Sequence, residues 1–220
     1  GAGIYTGNNG SSGSTIDGNI ILNGIGAKKG ALDSLNNDLS GISVDDYGTG
    51  ITISNNSIAN CVAIGIKLHL ANNITVKNNT TYNSGGSSWS KGGLEILFNS
   101  SYPINNITLD GNIFFAKTAE QLSFFAYSSG YTDGIKSLKT NNNFYAKPID
   151  QSAIILIDGN SYNFSSWQAY MNQDQNSKPA PKTISSLGDL RFEYNATAQS
   201  KAIPLDATYI DARNNSYNGS

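Results

Sequence analysis

An asparagine recurs along this chain at one place in a repeating pattern, and that recurrence restricts the possible folds more than any other feature. It stands in Ile16-Asp17-Gly18-Asn19-Ile20, Ile53-Ser54-Asn55-Asn56-Ser57, Val76-Lys77-Asn78-Asn79-Thr80 and Leu109-Asp110-Gly111-Asn112-Ile113. A weaker copy is Thr140-Asn141-Asn142-Asn143-Phe144. The asparagines at 19, 56, 79, 112 and 143 are separated by 37, 23, 33 and 31 residues. A second element precedes each copy: Ala2-Gly3-Ile4-Tyr5, Gly41-Ile42-Ser43-Val44, Gly65-Ile66-Lys67-Leu68 and Gly93-Leu94-Glu95-Ile96. Gln121-Leu122-Ser123-Phe124 and Ala153-Ile154-Ile155-Leu156-Ile157 are less regular versions. Each period therefore holds two or three short strands separated by Gly/Asn/Ser turns. The excess over the shortest period falls in segments such as 27–39 and 84–90.

Leucine-rich repeats share this period but need a leucine ladder and a helical segment, and neither is present. A β-sandwich gives short strands and turns but no asparagine recurring in one register. A parallel β-helix accounts for both. Its coils stack at the inter-strand spacing of about 4.8 Å, so asparagines at one turn position hydrogen-bond along the stack. Asparagine also tolerates the left-handed backbone of such turns, and the chirality of parallel crossovers predicts a right-handed coil. The low charge content, 14% against about 25% in ordinary domains, suits a chain that buries its apolar face between repeats.

With Gly-Ile-x-Val followed by Ile-Ser-Asn-Asn-x-Ile, the sequence resembles right-handed β-helix repeat proteins of the pectate-lyase-like superfamily. The resemblance covers about residues 1–165. It implies an all-β solenoid and a secreted bacterial protein acting on polysaccharide, as lyase, glycoside hydrolase or sugar epimerase. It is specific for fold and unspecific for reaction. The expected organisation is β-helix coils over residues 1–160 and a C-terminal cap over 161–220. In the cap, a short helix begins near Phe164, with Ser165 or Ser166 as N-cap and Trp167 as core anchor. Asn176 to Lys182 is a proline-containing loop, and Leu190-Arg191-Phe192-Glu193-Tyr194 and Ala207-Thr208-Tyr209-Ile210-Asp211 alternate as strands. Both ends of the chain look cut, so the missing N-terminal part of the same chain is an expected partner.

Net charge is −2, which argues against a nucleic-acid partner. No apolar run approaches the ~20 residues of a membrane helix, and a secreted or cell-surface location, extracellular or periplasmic, is expected. The single cysteine, Cys61, has the pattern of a small buried residue. With His69 the only histidine, no Cys/His metal cluster exists. The sequons at Asn73, Asn106 and Asn195 follow from an asparagine-rich repeat and carry no weight as glycosylation sites.

Alternation along a strand sorts the second element into columns. Ile42 and Val44 face inward, whereas Ser43 and Asp45 face outward. One outward column becomes Tyr5, Ser43, Lys67, Glu95, Ser123, and the next Gly7, Asp45, His69, Leu97, Phe125. Asp45, Lys67, His69 and Glu95, the candidate catalytic residues, thus converge on one strip of a charge-poor chain. Asp46 and Tyr5 at its rim, and Trp89 in a long loop, are candidate substrate contacts, because flat aromatic faces suit sugar rings. Tyr47, Tyr82 and Tyr102 are weaker candidates for the same rim.

Two chemistries fit the strip. Hydrolysis needs two carboxyl groups ~5–5.5 Å apart for retention or ~6.5–9.5 Å for inversion. Asp45 and Glu95, with backbones ~11 Å apart, reach the inverting range through their side chains. A lyase needs a base beside a uronate, Lys67 or His69, and a neutralising group, for which Ca²⁺ on Asp45, Asp46 or Glu95 would serve. No arginine occurs in the first 165 residues, which counts against the arginine base frequent in β-helix lyases. The expected function is hydrolysis or β-elimination of an extracellular polysaccharide or oligosaccharide. The alternative is a non-catalytic polysaccharide-binding or adhesive cell-surface β-helix, in which cross-strand Lys/Glu and Asp/His pairs only stabilise the sheet and Asp45-Asp46-Tyr47-Gly48 is a simple turn.

Overall fold

The computed structural model describes residues 1–7, 12–26, 39–86, 91–98, 105–195, 197 and 199–219. The chain is wound into stacked coils that contribute one strand to each of three parallel sheets. The first sheet holds β1 (Ala2–Thr6), β4 (Ser40–Val44), β7 (Ile66–His69), β10 (Gly92–Leu97), β13 (Leu122–Tyr127) and β16 (Ile155–Ile157). The second holds β2 (Thr15–Asp17), β5 (Thr52–Ser54), β8 (Ile74–Lys77), β11 (Ile107–Asp110) and β14 (Lys139–Asn141). The third holds β3 (Ile20–Leu22), β6 (Ser57–Ala59), β9 (Thr80–Tyr82), β12 (Ile113–Phe115), β15 (Phe144–Ala146) and β18 (Lys178–Pro179). Every neighbour within a sheet is three strands away in sequence, as in a β-helix-like solenoid, except where β17 (Asn160–Tyr162) closes the first sheet antiparallel to β16.

The corners explain the asparagine pattern. Between second- and third-sheet strands the chain turns through two residues, the first left-handed: Gly18, Asn55, Asn78, Gly111 and Asn142, with φ between 55° and 68°. Glycine and asparagine are the residues that adopt this conformation at least cost. The second is the recurring asparagine. From Asn56 onward each accepts, at Oδ1, the backbone N–H and side-chain amide of the asparagine one coil before, as when Asn79 accepts from Asn56 at 3.0 and 2.8 Å. Its own Nδ2 donates to backbone carbonyls, so Asn56, Asn79, Asn112 and Asn143 are all essentially buried. The ladder ends at Ser177, whose hydroxyl accepts from the Asn143 N–H at 2.7 Å. The other corners carry ladders of their own: Asn83 to Asn60 to Asn23 at 2.8 and 3.0 Å, and Asn106 to Asn73 at 3.0 Å. The side-chain oxygens of Asn73 and Asn60 are thereby engaged in structure.

Inward side chains form continuous apolar columns. Ile42, Ile66, Leu94, Phe124 and Ile155 make one, Ile53, Val76 and Leu109 another, all fully buried. Cys61 lies in this core, and burial pushes its thiol up from the ordinary value. Thr81 occupies a third-sheet position between Ile58 and Phe114, and its buried hydroxyl has no hydrogen-bond partner.

The C-terminal end departs from the expectation in detail. Parallel pairing runs beyond residue 160 as far as β18, because residues 173–176 bond back to Thr140 and Asn141 after the helix α2 (Phe164–Met171) has been inserted into the last coil. The N-cap of α2 is Asn163, whose Oδ1 accepts from the Ser166 N–H at 2.9 Å, not Ser165 or Ser166. Trp167 is fully buried, as expected, and its indole donates to Asp174 Oδ2 at 2.7 Å. Asp174, itself buried, also accepts from Thr140, Tyr145 and Ser177. Burial, then the neighbouring Asp174 carboxylate, pushes the Tyr145 hydroxyl well above its usual range. A second helix, α1 (Thr132–Lys136), was not expected. Residues 190–194 are not a strand. They follow a 3₁₀ turn (Leu187–Asp189) and pack through side chains on the outer face of the third sheet, where Phe192 stacks on Tyr82 at 4.4 Å. Of the segment from Ala207 to Asp211, only β19 (Tyr209–Ile210) is a strand, paired antiparallel with β20 (Ser216–Tyr217). Among the described residues no helix is long and apolar enough to cross a membrane.

Candidate functional site

Strand register on the first sheet places Tyr5 beside Ser43, Ser43 beside Lys67, and Lys67 beside Glu95. The expected column holds to this point and then changes. Glu95 pairs with Phe125 rather than Ser123, and Leu97, which pairs with His69, stands beside Tyr127 rather than Phe125. A two-residue shift keeps the same side chains inside, so alternation in the sequence is blind to it.

Asp45 follows the last residue of β4 and enters a turn, with Gly48 N–H donating to the Asp45 carbonyl at 3.1 Å. Asp46 and Tyr47 are both left-handed, at φ 44° and 70°. Two successive non-glycine residues in this region cost about 1–2 kcal/mol each. The turn persists because its surroundings determine it: the Asp46 N–H donates to Asp45 Oδ1 at 3.0 Å, and the Tyr5 hydroxyl donates to Asp46 Oδ2 at 3.1 Å. At Gly48 a Cβ would lie 2.5 Å from Val44 Cγ1, which leaves room for glycine alone.

The outcome is a compact group of polar and charged side chains. Asp45 Oδ1 is hydrogen-bonded to His69 Nδ1 across adjacent coils, and Asp45 Oδ2 lies 4.0 Å from Lys67 Nζ. All three are partly exposed, with side-chain accessibilities of 18% for Asp45, 25% for Lys67 and 34% for His69. The Tyr5 hydroxyl is held above its ordinary value, first by desolvation, then by its bond to Asp46 and the charges of Asp45 and Asp46. Asp45, Lys67, His69, Asp46 and Tyr5 are therefore brought together as anticipated. Glu95 lies beside Lys67 in register but is only 4% exposed, so it underlies the strip rather than facing a ligand. Trp89 and Tyr102 fall outside the described residues. Tyr82 belongs to the third sheet, against Phe115 and Phe192, and does not rim this strip.

The potential ligand atoms of Asp45, Asp46 and His69 lie within 4.8 Å of one another. Ca²⁺ fits them poorly. It prefers six to eight oxygens, whereas this group offers an imidazole nitrogen, an Asp45 oxygen already engaged by His69, and a lysine ammonium nearby. The arrangement instead suits an oriented imidazole: with Nδ1 held by a carboxylate, Nε2 becomes the working nitrogen. Two clefts lie elsewhere. One lies between the C-terminal tail and the third sheet, lined by Tyr82, Phe115, Phe192 and Tyr209, and another lies on the open face of the second sheet beside Lys77 and Lys139. In comparisons with known proteins, no family model, no curated protein and no solved structure matches this chain.

Proposed function

We propose that the protein is a secreted, carbohydrate-active right-handed β-helix of the pectate-lyase-like type, which cleaves an acidic extracellular polysaccharide by β-elimination on the outer face of the first sheet. The observation that supports this most is the hydrogen bond between His69 Nδ1 and the Asp45 carboxylate, with Lys67 alongside. In the reaction, His69 Nε2 takes the proton at C5 of a uronate. The electrons left behind form the C4–C5 double bond, the C4–O4 bond breaks, and the leaving oxygen takes a proton from water. Lys67 offsets the carboxylate charge that grows as C5 loses its proton. Tyr5 and Asp46 bind sugar hydroxyls at the rim. Hydrolysis by Asp45 and Glu95 has less support, because Glu95 is buried and Asp45 is committed to His69.

The test is turnover of a panel of uronate polysaccharides, followed by the absorbance of the unsaturated product. Cleavage lost in His69→Ala and Lys67→Met at unchanged melting temperature supports elimination. New reducing ends without the chromophore would indicate hydrolysis. Binding without cleavage would indicate the non-catalytic wall-binding or adhesive module.

A further inference from the structure

The outer face of the first sheet changes character along the stack. On the second to fourth coils it carries Asp45, Lys67, His69 and Glu95, with Leu97 beside His69. One coil further it turns aromatic: Phe125 stands beside Glu95, Tyr127 beside Leu97, and Leu156 follows Phe125. Phe125 is half-buried and supports the surface, whereas Tyr127 is 52% exposed. Among the described residues the Tyr127 ring has no aromatic neighbour and its hydroxyl no hydrogen bond, unlike Tyr5, which is tied to Asp46. Tyr127 lies in the same outward column as His69, two coils away, a separation of about 10 Å.

We infer that Tyr127 is a specificity-determining residue: it stacks on the apolar face of a sugar ring two coils beyond the His69 centre and selects for acidic chains long enough to reach it. The inference rests on the reading of that centre as uronate-binding, and goes beyond it in assigning direction and length. A chain laid along the stack crosses the coils at the inter-strand repeat of about 4.8 Å, similar to the rise of one sugar unit. One uronate then places its carboxylate at Lys67 and its C5 at His69, and a ring two units on meets Tyr127. An aromatic face is suited to that ring because it offers apolar contact without fixing hydroxyl geometry. Charge orders the chain as well, because the lysine ammonium of Lys67 lies on the third coil and the fifth presents aromatic rings instead.

The experiment compares binding of uronate disaccharides and hexasaccharides, prepared from polygalacturonate and from alginate, by wild type, Tyr127→Ala and Tyr127→Trp, with melting curves for each. Tyr127→Ala should lower the hexasaccharide-to-disaccharide affinity ratio about tenfold, and Tyr127→Trp should retain it. An unchanged ratio in Tyr127→Ala, with wild type binding and cleaving uronate chains, overturns the role of Tyr127 and leaves the elimination centre standing. Failure of wild type to bind any uronate oligomer overturns both.

Discussion

Asp45 Oδ1 and His69 Nδ1, 24 residues apart in sequence, are hydrogen-bonded because the end of β4 lies directly against the end of β7. The contact fixes which imidazole nitrogen faces outward. Asp45→Asn replaces a carboxylate acceptor by an amide and favours the wrong tautomer of His69. Turnover of a uronate polymer should fall by about 10²–10⁴-fold, with little change in melting temperature, since the pair is partly exposed. Initial rates and thermal melts on the same preparations check this.

The asparagine ladder should carry a large part of the stability of the solenoid. Asn79 is fully buried, accepts from Asn56 and donates to Ile53, Lys77 and Asn112. Asn79→Leu strands several of those partners, and each buried polar group left unmade costs about 1–3 kcal/mol. A loss of about 3 kcal/mol or more in urea unfolding is expected. Asn60→Ala, at a more exposed corner, should cost distinctly less.

Thr81 offers the opposite case. Its hydroxyl is buried without a partner among apolar neighbours, at a position where the coil before has Ile58 and the coil after Phe114. Thr81→Val keeps the shape and removes the desolvated group, and should raise stability by about 1 kcal/mol. Denaturant midpoints for the two proteins decide the sign.

The C-terminal tail should loosen in acid before the coils do. Glu193 is held below its ordinary value by bonds from Arg191 and Lys201, and Asp206 by the Tyr209 hydroxyl. Asp211 is also low: desolvation opposes the shift, but bonds from Asn215 and Tyr217 outweigh it. Depressed carboxylate values mean that these groups stabilise the fold above their unfolded values, 4.5 for Glu and 3.8 for Asp, and cease to do so as pH falls through the folded ones. Hydrogen exchange between pH 6 and about pH 3 should show protection lost first across residues 191–217.

Much of the fold was legible because its physics is local. A left-handed corner selects glycine or asparagine, and a buried corner amide selects asparagine, so the ladder from Asn19 to Asn143 is written in the residues themselves. The ladders at Asn23–Asn83 and Asn73–Asn106 obey the same rule and repeat the main ladder's separations of 37, 23 and 33 residues, but each spans only two or three coils and so stands out less. Asn163, Ser165 and Ser166 are all competent N-caps by residue type, and only the bond from the Ser166 N–H to Asn163 Oδ1 distinguishes them. Residues 190–194 alternate like a strand, yet their partner is a ring on Tyr82 and not a backbone edge.

For the candidate site the division is equally physical. Alternation and the first repeats suffice to set Asp45, Lys67, His69 and Glu95 on one outward face. Tertiary structure alone decided that Asp45 bonds to His69, that Glu95 is buried beside Lys67, and that Tyr127 rather than Phe125 continues the His69 column. Burial depends on what neighbouring coils place over a side chain, and register between coils joined by loops of unequal length is settled only when the strands pair. A period of two in side-chain direction leaves shifts of two residues indistinguishable until then.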